Sequence, residues 1–411
     1  DPTESRGLGD VYKRQTADTA FTRRERDSRI SLQTFVNHKF NARHTHRSGV
    51  IVHGLFTDVR SINKETTLVG DPTAPLTDTT LLSFGRTLMA QAYSRSQFYL
   101  NENWKLNAGV HVMYLMYTGE VSIEPRAGVR YQINKRNSIN LGYGLHSQMD
   151  PLFTFTSRTM DTVTNRVVRL NENLKFNKAH HITLAYYSQL SDKWRFGAEV
   201  YYQHLYNMTV GADLPISRVG GYNRQFESMQ LNNGGQGKNY GLELAIERSF
   251  SEGLYVISNI SLFQSTYTAN DKVERPSQYN AQIIANGLIG KEWRVFKSSD
   301  KPKFLSLNLS ATYSGPQYYT SMDLEESKEI GYFVGNFDNP NTEKQGALTL
   351  VDVSVEYRSN GEKFNSQVLI QFSNILNLRP ITGVLYDRER EEQAFLYGSG
   401  IIPILGWRIS F

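Results

Sequence analysis

The residues that most invite chemistry are two histidine pairs. His44 and His46 form a His-x-His run, and His180 and His181 are adjacent. On a strand, His-x-His turns both rings to one face, a geometry that can hold a metal ion. Zinc sites draw their further ligands from cysteine, histidine or carboxylate at recognised spacings, and none stands at such a spacing from either pair. Cysteine is absent altogether, which removes thiolate nucleophiles, disulfides and cysteine metal sites in one step. Gly220–Gly221 and Gly234–Gly235 lack the strand-to-helix context of a phosphate loop. No G-x-S-x-G elbow occurs, and nothing along the chain pairs its Ser, His and Asp residues. The expectation is a protein that is not an enzyme, with no catalytic residue, no cofactor and no metal site.

Two other sets of residues suit recognition rather than bond-making. Glu124, Arg126, Arg130, Arg195, Glu199, Glu243, Glu247, Asp352 and Glu356 recur at alternate positions of otherwise apolar segments. Tyr222, Asn223, Phe226, Asn232 and Asn233 crowd one connecting segment; Tyr318, Tyr319, Phe333, Asn336 and Phe337 crowd another. Aromatic and amide groups together suit sugars, peptides or chelates. They equally suit loops that pack on one another, and both readings stand at this point.

The elements that must position these residues are strands. In Ile123–His146, the residues Ile123, Pro125, Ala127, Val129 and Tyr131 alternate with Glu124, Arg126, Gly128, Arg130 and Gln132. After a break at Asn134–Asn137, Ile139, Leu141, Tyr143 and Leu145 alternate with Asn140, Gly142, Gly144 and His146. A period of two means a hairpin with one oily and one polar face. The pattern returns at Trp194–Gln203, Leu242–Glu247, Leu305–Tyr313 and Val351–Tyr357. Fifteen such runs are read, at about 28–40, 48–57, 81–100, 104–117, 121–132, 138–147, 180–190, 194–206, 238–250, 254–267, 278–295, 303–314, 346–358, 365–377 and 400–411. No convincing helical stretch separates them, so parallel βαβ units are not expected.

The polar face is often ionised, and isolated charges in a dry core cost several kcal/mol unless paired. A barrel in a membrane resolves this, with its oily side to lipid and its charged side to a wet or plugged lumen. The chain has no run of about 18 apolar residues, so a transmembrane helix is absent, but transmembrane strands need only about 9–11 residues each. Aromatics are 12% of the chain, with 24 Tyr and 21 Phe against 4 Trp, a balance that suits strands and membrane interfaces. The net charge of +5 is dispersed, whereas nucleic-acid binding favours a concentrated basic stripe. Connections alternate between short (41–47, 101–103, 133–137, 191–193, 251–253, 295–302, 359–364) and long (58–80, 148–179, 207–237, 265–277, 314–345, 377–399). Only 119–120 falls out of step. Outer-membrane barrels have this asymmetry, with short periplasmic turns and longer outside loops.

Asp1–Gln15 shows no strand period, and its GLGDVYKRQ resembles translated sequencing-adapter sequence. It is excluded as non-native, leaving 16–411 as barrel. At the other end, Leu405, Trp407, Ile409 and Phe411 alternate with Gly406, Arg408 and Ser410. A last strand ending in Phe resembles the signal read by the barrel insertion machinery.

Ser122–Leu152, Gly237–Tyr267, FSNILNL at 372–378 and the closing WRISF resemble the TonB-dependent outer-membrane receptors, in the branch with a carboxypeptidase-regulatory-like domain. The resemblance runs from about Phe21 to the end. It implies an all-β, antiparallel transmembrane barrel of 22 strands in the outer membrane of a Gram-negative bacterium, of which this chain supplies about the last fifteen, without the plug or TonB box. It further implies a receptor that imports a scarce solute such as an iron chelate, glycan or peptide by energy-coupled plug movement. The alternative is a passive porin-like or secretion/assembly barrel. The implied partners are outer-membrane lipid, the TonB complex through the N-terminal region, the insertion machinery, the solute and, as an option, a surface lipoprotein. The nine charged residues become a lumen wall that contacts the plug or is merely solvated. Tyr222, Phe226, Tyr318, Tyr319 and Phe333 become ligand-loop candidates, and Trp407, Ile409 and Phe411 the insertion signal.

The two-faced pattern carries its own test. The intact protein extracted from membranes is expected to stay monodisperse in detergent and to aggregate when detergent is removed. A sharp monomer peak in detergent-free buffer, read by size-exclusion chromatography with light scattering, points instead to a soluble β protein.

Overall fold

The computed structural model describes residues 21–64, 78–161, 166–218, 229–296, 301–331 and 333–411. Fifteen long antiparallel strands form one continuous wall: β1 (Phe21–Asn41), β2 (His44–Lys64), β3 (Asp78–Tyr99), β4 (Trp104–Leu115), β5 (Glu120–Gln132), β6 (Asn137–Gln148), β9 (Asn177–Gln189), β10 (Trp194–Gly211), β11 (Leu231–Ser251), β12 (Leu254–Thr268), β14 (Ile283–Val295), β15 (Lys303–Ser314), β18 (Leu348–Asn360), β19 (Asn365–Ser373) and β22 (Ile402–Ser410). Each pairs with its neighbours in this order. Among the described residues β1 pairs only with β2 along its length, and β22 only with β19, so the wall has two edges. Seven short strands lie in the long connections: β7 (Ser157–Asp161), β8 (Arg166–Arg169), β13 (Glu274–Pro276), β16 (Tyr318–Tyr319), β17 (Glu343–Lys344), β20 (Ile381–Asp387) and β21 (Glu392–Tyr397). Among the described residues there are thus 22 strands, fifteen of them in the wall.

Asparagines end the ladders at the short turns. Asn134 Oδ1 accepts the backbone N–H groups of Arg136 and Asn137 at 2.9 and 3.0 Å, closing the β5–β6 turn. Asn101 Oδ1 does the same for Asn103 and Trp104, both at 2.9 Å. Such side-chain turns occupy donors that would otherwise continue a strand. Pro125 sits within β5 at little cost. The β5–β6 ladder begins only at Arg126, so the missing Pro125 N–H faces no partner there.

Among the described residues no second protein layer covers the oily rows. Leu32 (75%), Leu405 (77%) and Trp407 (72%) are largely exposed, as are Leu307, Leu309, Val355 and Ile370 to a lesser degree. Strands of 12 or 13 residues, as in β4, β5, β9, β14 and β15, exceed the length that crosses a bilayer. Hydrocarbon is the medium that removes this surface from water, at about 25 cal/mol per Å². The buried core lies instead among the long connections. Phe155, Leu174, Phe176, Ile216 and Leu231 pack against Met113 and Leu115 of β4.

Several expectations on local structure are corrected. Helices α1 (Leu152–Thr156) and α2 (Leu324–Ile330) stand in connections read as helix-free. Every residue of α1 is buried, so tertiary packing rather than periodicity forms it. Gly85 makes room for it, since a Cβ there would lie 2.3 Å from Thr156 Cγ2. For α2 the cues were local: Asp323 caps it by accepting the Glu326 N–H at 3.0 Å, and Gly331 ends it with φ of 79°. Residues 278–282 are not strand, because Gln282 takes φ of 64°. β19 stops at Ser373 rather than 377 because Asn374 and Asn377, both at φ 53°, form a turn.

Charge on the two faces of one strand is expected to have opposite consequences. Leu309→Arg puts an arginine on the oily face of β15 and should cost about 2–4 kcal/mol in lipid. Ser310→Arg, on the polar face opposite Asp352, should be nearly neutral. Urea titration of the intact protein in vesicles, read by heat-modifiable gel mobility, compares them. Equal effects would remove the two-faced assignment.

Candidate functional site

The ladder registers put all nine charged candidates on one face of the wall. Arg126 aligns through Gly109 with Arg95, and through Gly144 with His181 and Gln203. Arg195 stands opposite Glu247, and Glu199 opposite Glu243. Glu356 stands opposite Ser306, and Asp352 opposite Ser310. Loop helix α1 leans on this same face, where Ser83 Oγ donates to the Phe153 carbonyl at 2.9 Å.

Their environments differ. Glu124 is 1% exposed. Its Oε2 lies 2.9 Å from His111 Nδ1 and accepts from Arg126 Nη2 at 2.6 Å, while its Oε1 has no partner. His111 Nε2 reaches Gln91 Oε1 at 3.1 Å, so the group spans β3, β4 and β5. Asp352 accepts the Asn374 N–H at 2.8 Å and holds the turn after β19. Arg130 donates to Gln132 at 2.9 Å. By contrast Arg195, Glu199, Glu243, Glu247 and Glu356 have no ion pair among the described residues. Glu199 and Glu243, directly opposed like charges, disfavour the bare wall.

Three of the five loop candidates converge. Tyr318, Tyr319 and Phe333 line a cleft of about 490 Å³ together with Phe337, Asn341 and the Pro380–Val384 segment. Among the described residues no charged residue lines it. The β16–β17 pairing sets its floor, with Tyr318 opposite Lys344 and the Lys344 ammonium 5.0 Å from the Tyr318 ring centre. Asn341, at φ 59° and 2% exposed, donates through Nδ2 to the Pro276 carbonyl at 3.0 Å and fastens this loop to the β12–β14 connection. The asparagine-rich DNPNT stretch at 338–342 signals a turn; the part played by Pro380–Val384 has no local signal. Tyr222 and Phe226 lie outside the described residues.

A second loop assembly is structural in character. Asp150, 2% exposed, accepts from Thr209 Oγ1 at 2.5 Å and Asn177 Nδ2 at 3.1 Å, and pairs with Arg218 at 3.0 Å. The histidine pairs are accounted for by neighbours. His44 and His46 both reach Ser96 Oγ, and His44 stacks on Phe40 and Phe98. His180 stacks on Tyr143 and Tyr206 of the oily face, while His181 points to the polar one. Trp407, Ile409 and Phe411 stand exposed on β22 and just after it, and Trp407 Nε1 donates to Ser366 Oγ at 3.1 Å.

A wall of amphipathic antiparallel strands, oily outside and charged on the other side, with loop cores gathered at one end, defines a transmembrane β-barrel of the outer-membrane kind. A family model described as TonB-dependent receptor-like, beta-barrel, matches residues 3–378. The chain belongs to the TonB-dependent receptors, outer-membrane proteins of Gram-negative bacteria. Solved structures share the fold at low identity. The ferric yersiniabactin uptake receptor FyuA from Yersinia pestis superposes with a TM-score of 0.63 at 12% identity, covering 95% of this chain and 55% of that one. The iron transporter FrpB from Neisseria meningitidis gives 0.61 at 13%, covering 93% and 55%. The copper transporter OprC gives 0.62 at 11%, covering 95% and 57%. This chain therefore spans about half the length of these structures. No curated protein sequence matches it.

The loop between β12 and β13 carries a pH-sensitive clasp. Burial raises the Asp271 pKa, but the Arg275 guanidinium at 2.7 Å and the Val273 N–H outweigh it and hold the carboxyl below its ordinary value. The folded pKa is depressed, so the pair stabilises the loop above the unfolded carboxylate's pKa of about 4 and is lost as pH falls through the lower folded value. Hydrogen exchange of 269–277, corrected for intrinsic rate, should lose protection in that acid window. Asp271→Asn should show the loss already at neutral pH. Identical protection in the variant at every pH would show that the clasp contributes nothing.

Proposed function

We propose that the chain is the C-terminal wall of an energy-coupled importer of a scarce solute. The loops capture the solute, the polar face lines the lumen, and an upstream plug moves when TonB pulls it. The observation that carries this reading is the unpaired charge on the polar face: Arg195, Glu199, Glu243, Glu247 and Glu356 need water or a polar occupant beside them. Family membership supports the same reading, as do the uptake role named for FyuA and the iron-transporter role named for FrpB.

The mechanism is conformational. Solute can report its presence only if it binds one plug state better than another. Tyr318, Tyr319 and Phe333 are the contact residues we assign to capture, through ring faces and the amides around them. The nine charged wall residues meet the plug or the water around it. Trp407, Ile409 and Phe411 serve insertion of the last strand. No residue in this scheme makes or breaks a bond.

The test presents a panel of iron chelates, glycans and peptides to cells expressing the intact protein. One class should accumulate, and accumulation should stop when a protonophore collapses the proton-motive force. Tyr318→Ala with Phe333→Ala should weaken capture roughly tenfold, the scale expected for two aromatic contacts. Protonophore-resistant accumulation together with open-channel conductance in a planar bilayer would identify a passive barrel instead.

A further inference from the structure

A cavity of about 1030 Å³ lies on the polar face of β1–β5 toward the short-turn end. Its lining includes Lys39, Arg47, Arg95 and Arg126, with Tyr93 among them, and among the described residues no carboxylate. The basic groups are aligned by register. Arg47 stands directly opposite Arg95, Arg95 opposite Gly109, and Gly109 opposite Arg126. The row therefore reads Arg, Arg, Gly, Arg across β2 to β5. The glycine keeps it close: a Cβ at Gly109 would sit 2.8 Å from the Arg95 Cβ.

Only one of these charges is neutralised by an ion pair within the described wall. Arg126 is committed to Glu124 at 2.6 Å. Among the described residues Arg47 and Arg95 have no ion pair, and Arg47 Nε is buried with no hydrogen-bond partner. The Arg47 guanidinium is instead held over the Phe35 ring, 4.1 Å from its centre. Stacking fixes the plane of the fork and leaves its N–H edge to be satisfied from outside. Two like charges placed directly opposite on adjacent strands repel. An oxyanion between them would turn that repulsion into two charge-assisted hydrogen-bonding contacts, the geometry that suits guanidinium best.

We propose that Arg47 and Arg95, with Lys39 and Arg126 beside them, form an anion-binding site for a carboxylate, phosphate or sulfonate group. The proposal rests on the reading that this face lines the lumen. The anion has two sources of the same chemistry: a solute passing along the wall, or a carboxylate carried by the upstream plug.

The experiment uses the intact protein in detergent and the trisulfonated dye pyranine as probe, followed by fluorescence anisotropy at low salt. It compares wild type, R47Q/R95Q and the charge-conserving R47K/R95K, with trypsin sensitivity of the plug measured in each. Saturable dye binding, weakened about tenfold or more in R47Q/R95Q and largely kept in R47K/R95K, supports a site open to solute anions. No dye binding to wild type, with faster plug cleavage in R47Q/R95Q but not in R47K/R95K, supports a plug carboxylate as the occupant. Dye binding that R47Q/R95Q leaves unchanged, or no binding with unchanged plug cleavage, overturns the site. Should the double variant not fold, R95Q alone is read in the same way, since Arg95 is exposed and makes no ion pair within the wall. Protonophore-sensitive uptake is measured on the same wild type. Its failure counts against the importer and leaves the dye titration standing.

Discussion

Every backbone N–H and C=O that enters hydrocarbon must find a partner on a neighbouring strand, because the solvent there offers none. The rest of this structure follows from that demand. The ladder must run without interruption through the apolar zone, and it does so from β1 to β22 in strict neighbour order. Irregularity is pushed to the ends. Asn101 and Asn134 take over the donors at short turns, and Asn374 with Asp352 does so at a long one. Pro125 is tolerated because it stands where one of its two ladders has already ended.

Once the backbone is satisfied, side chains are free to specialise by face. One face needs only to be oily, and its rows of leucine, valine and aromatic residues vary without altering the ladder. The other is held to no such uniformity. It carries a buried carboxylate tied to His111 and Arg126, an opposed pair of glutamates and an opposed pair of arginines. Buried Glu124 is linked to groups from three adjacent strands, whereas the opposed pairs leave charge to be met from outside.

The loops follow a different economy. They bury the apolar residues that the wall does not, around Phe155, Phe176 and Ile216, and they knit polar groups such as Asp150 and Asn341 into closed networks. Out of this packing comes an aromatic cleft with no charged residue in its described lining, while the polar face of β1–β5 carries a cavity whose charged lining is Lys39, Arg47, Arg95 and Arg126 among neutral groups. A solute moving inward on the proposed path would meet aromatic and amide surfaces first and fixed positive charge later.

Fold class was legible from period alone. Side chains on a strand alternate whatever the strand touches, so the wall strands and the shared face of Glu124, Arg195, Glu243 or Glu356 were legible in the residue order. Strand ends at 374 and 278–282 were not, because left-handed asparagine and glutamine conformations are settled by the turns they enter. Helix α1 was hidden because its five residues have no period and owe their shape to the surfaces that bury them. The sequence by itself determined that two solvents must meet this sheet, since alternation is a property of neighbouring residues. Only the tertiary structure decided that Arg47 faces Arg95, that Glu199 faces Glu243, and that Tyr318 and Phe333 share a cleft with Pro380. Those contacts join residues tens of positions apart, and register, which no local pattern encodes, is what brings them together.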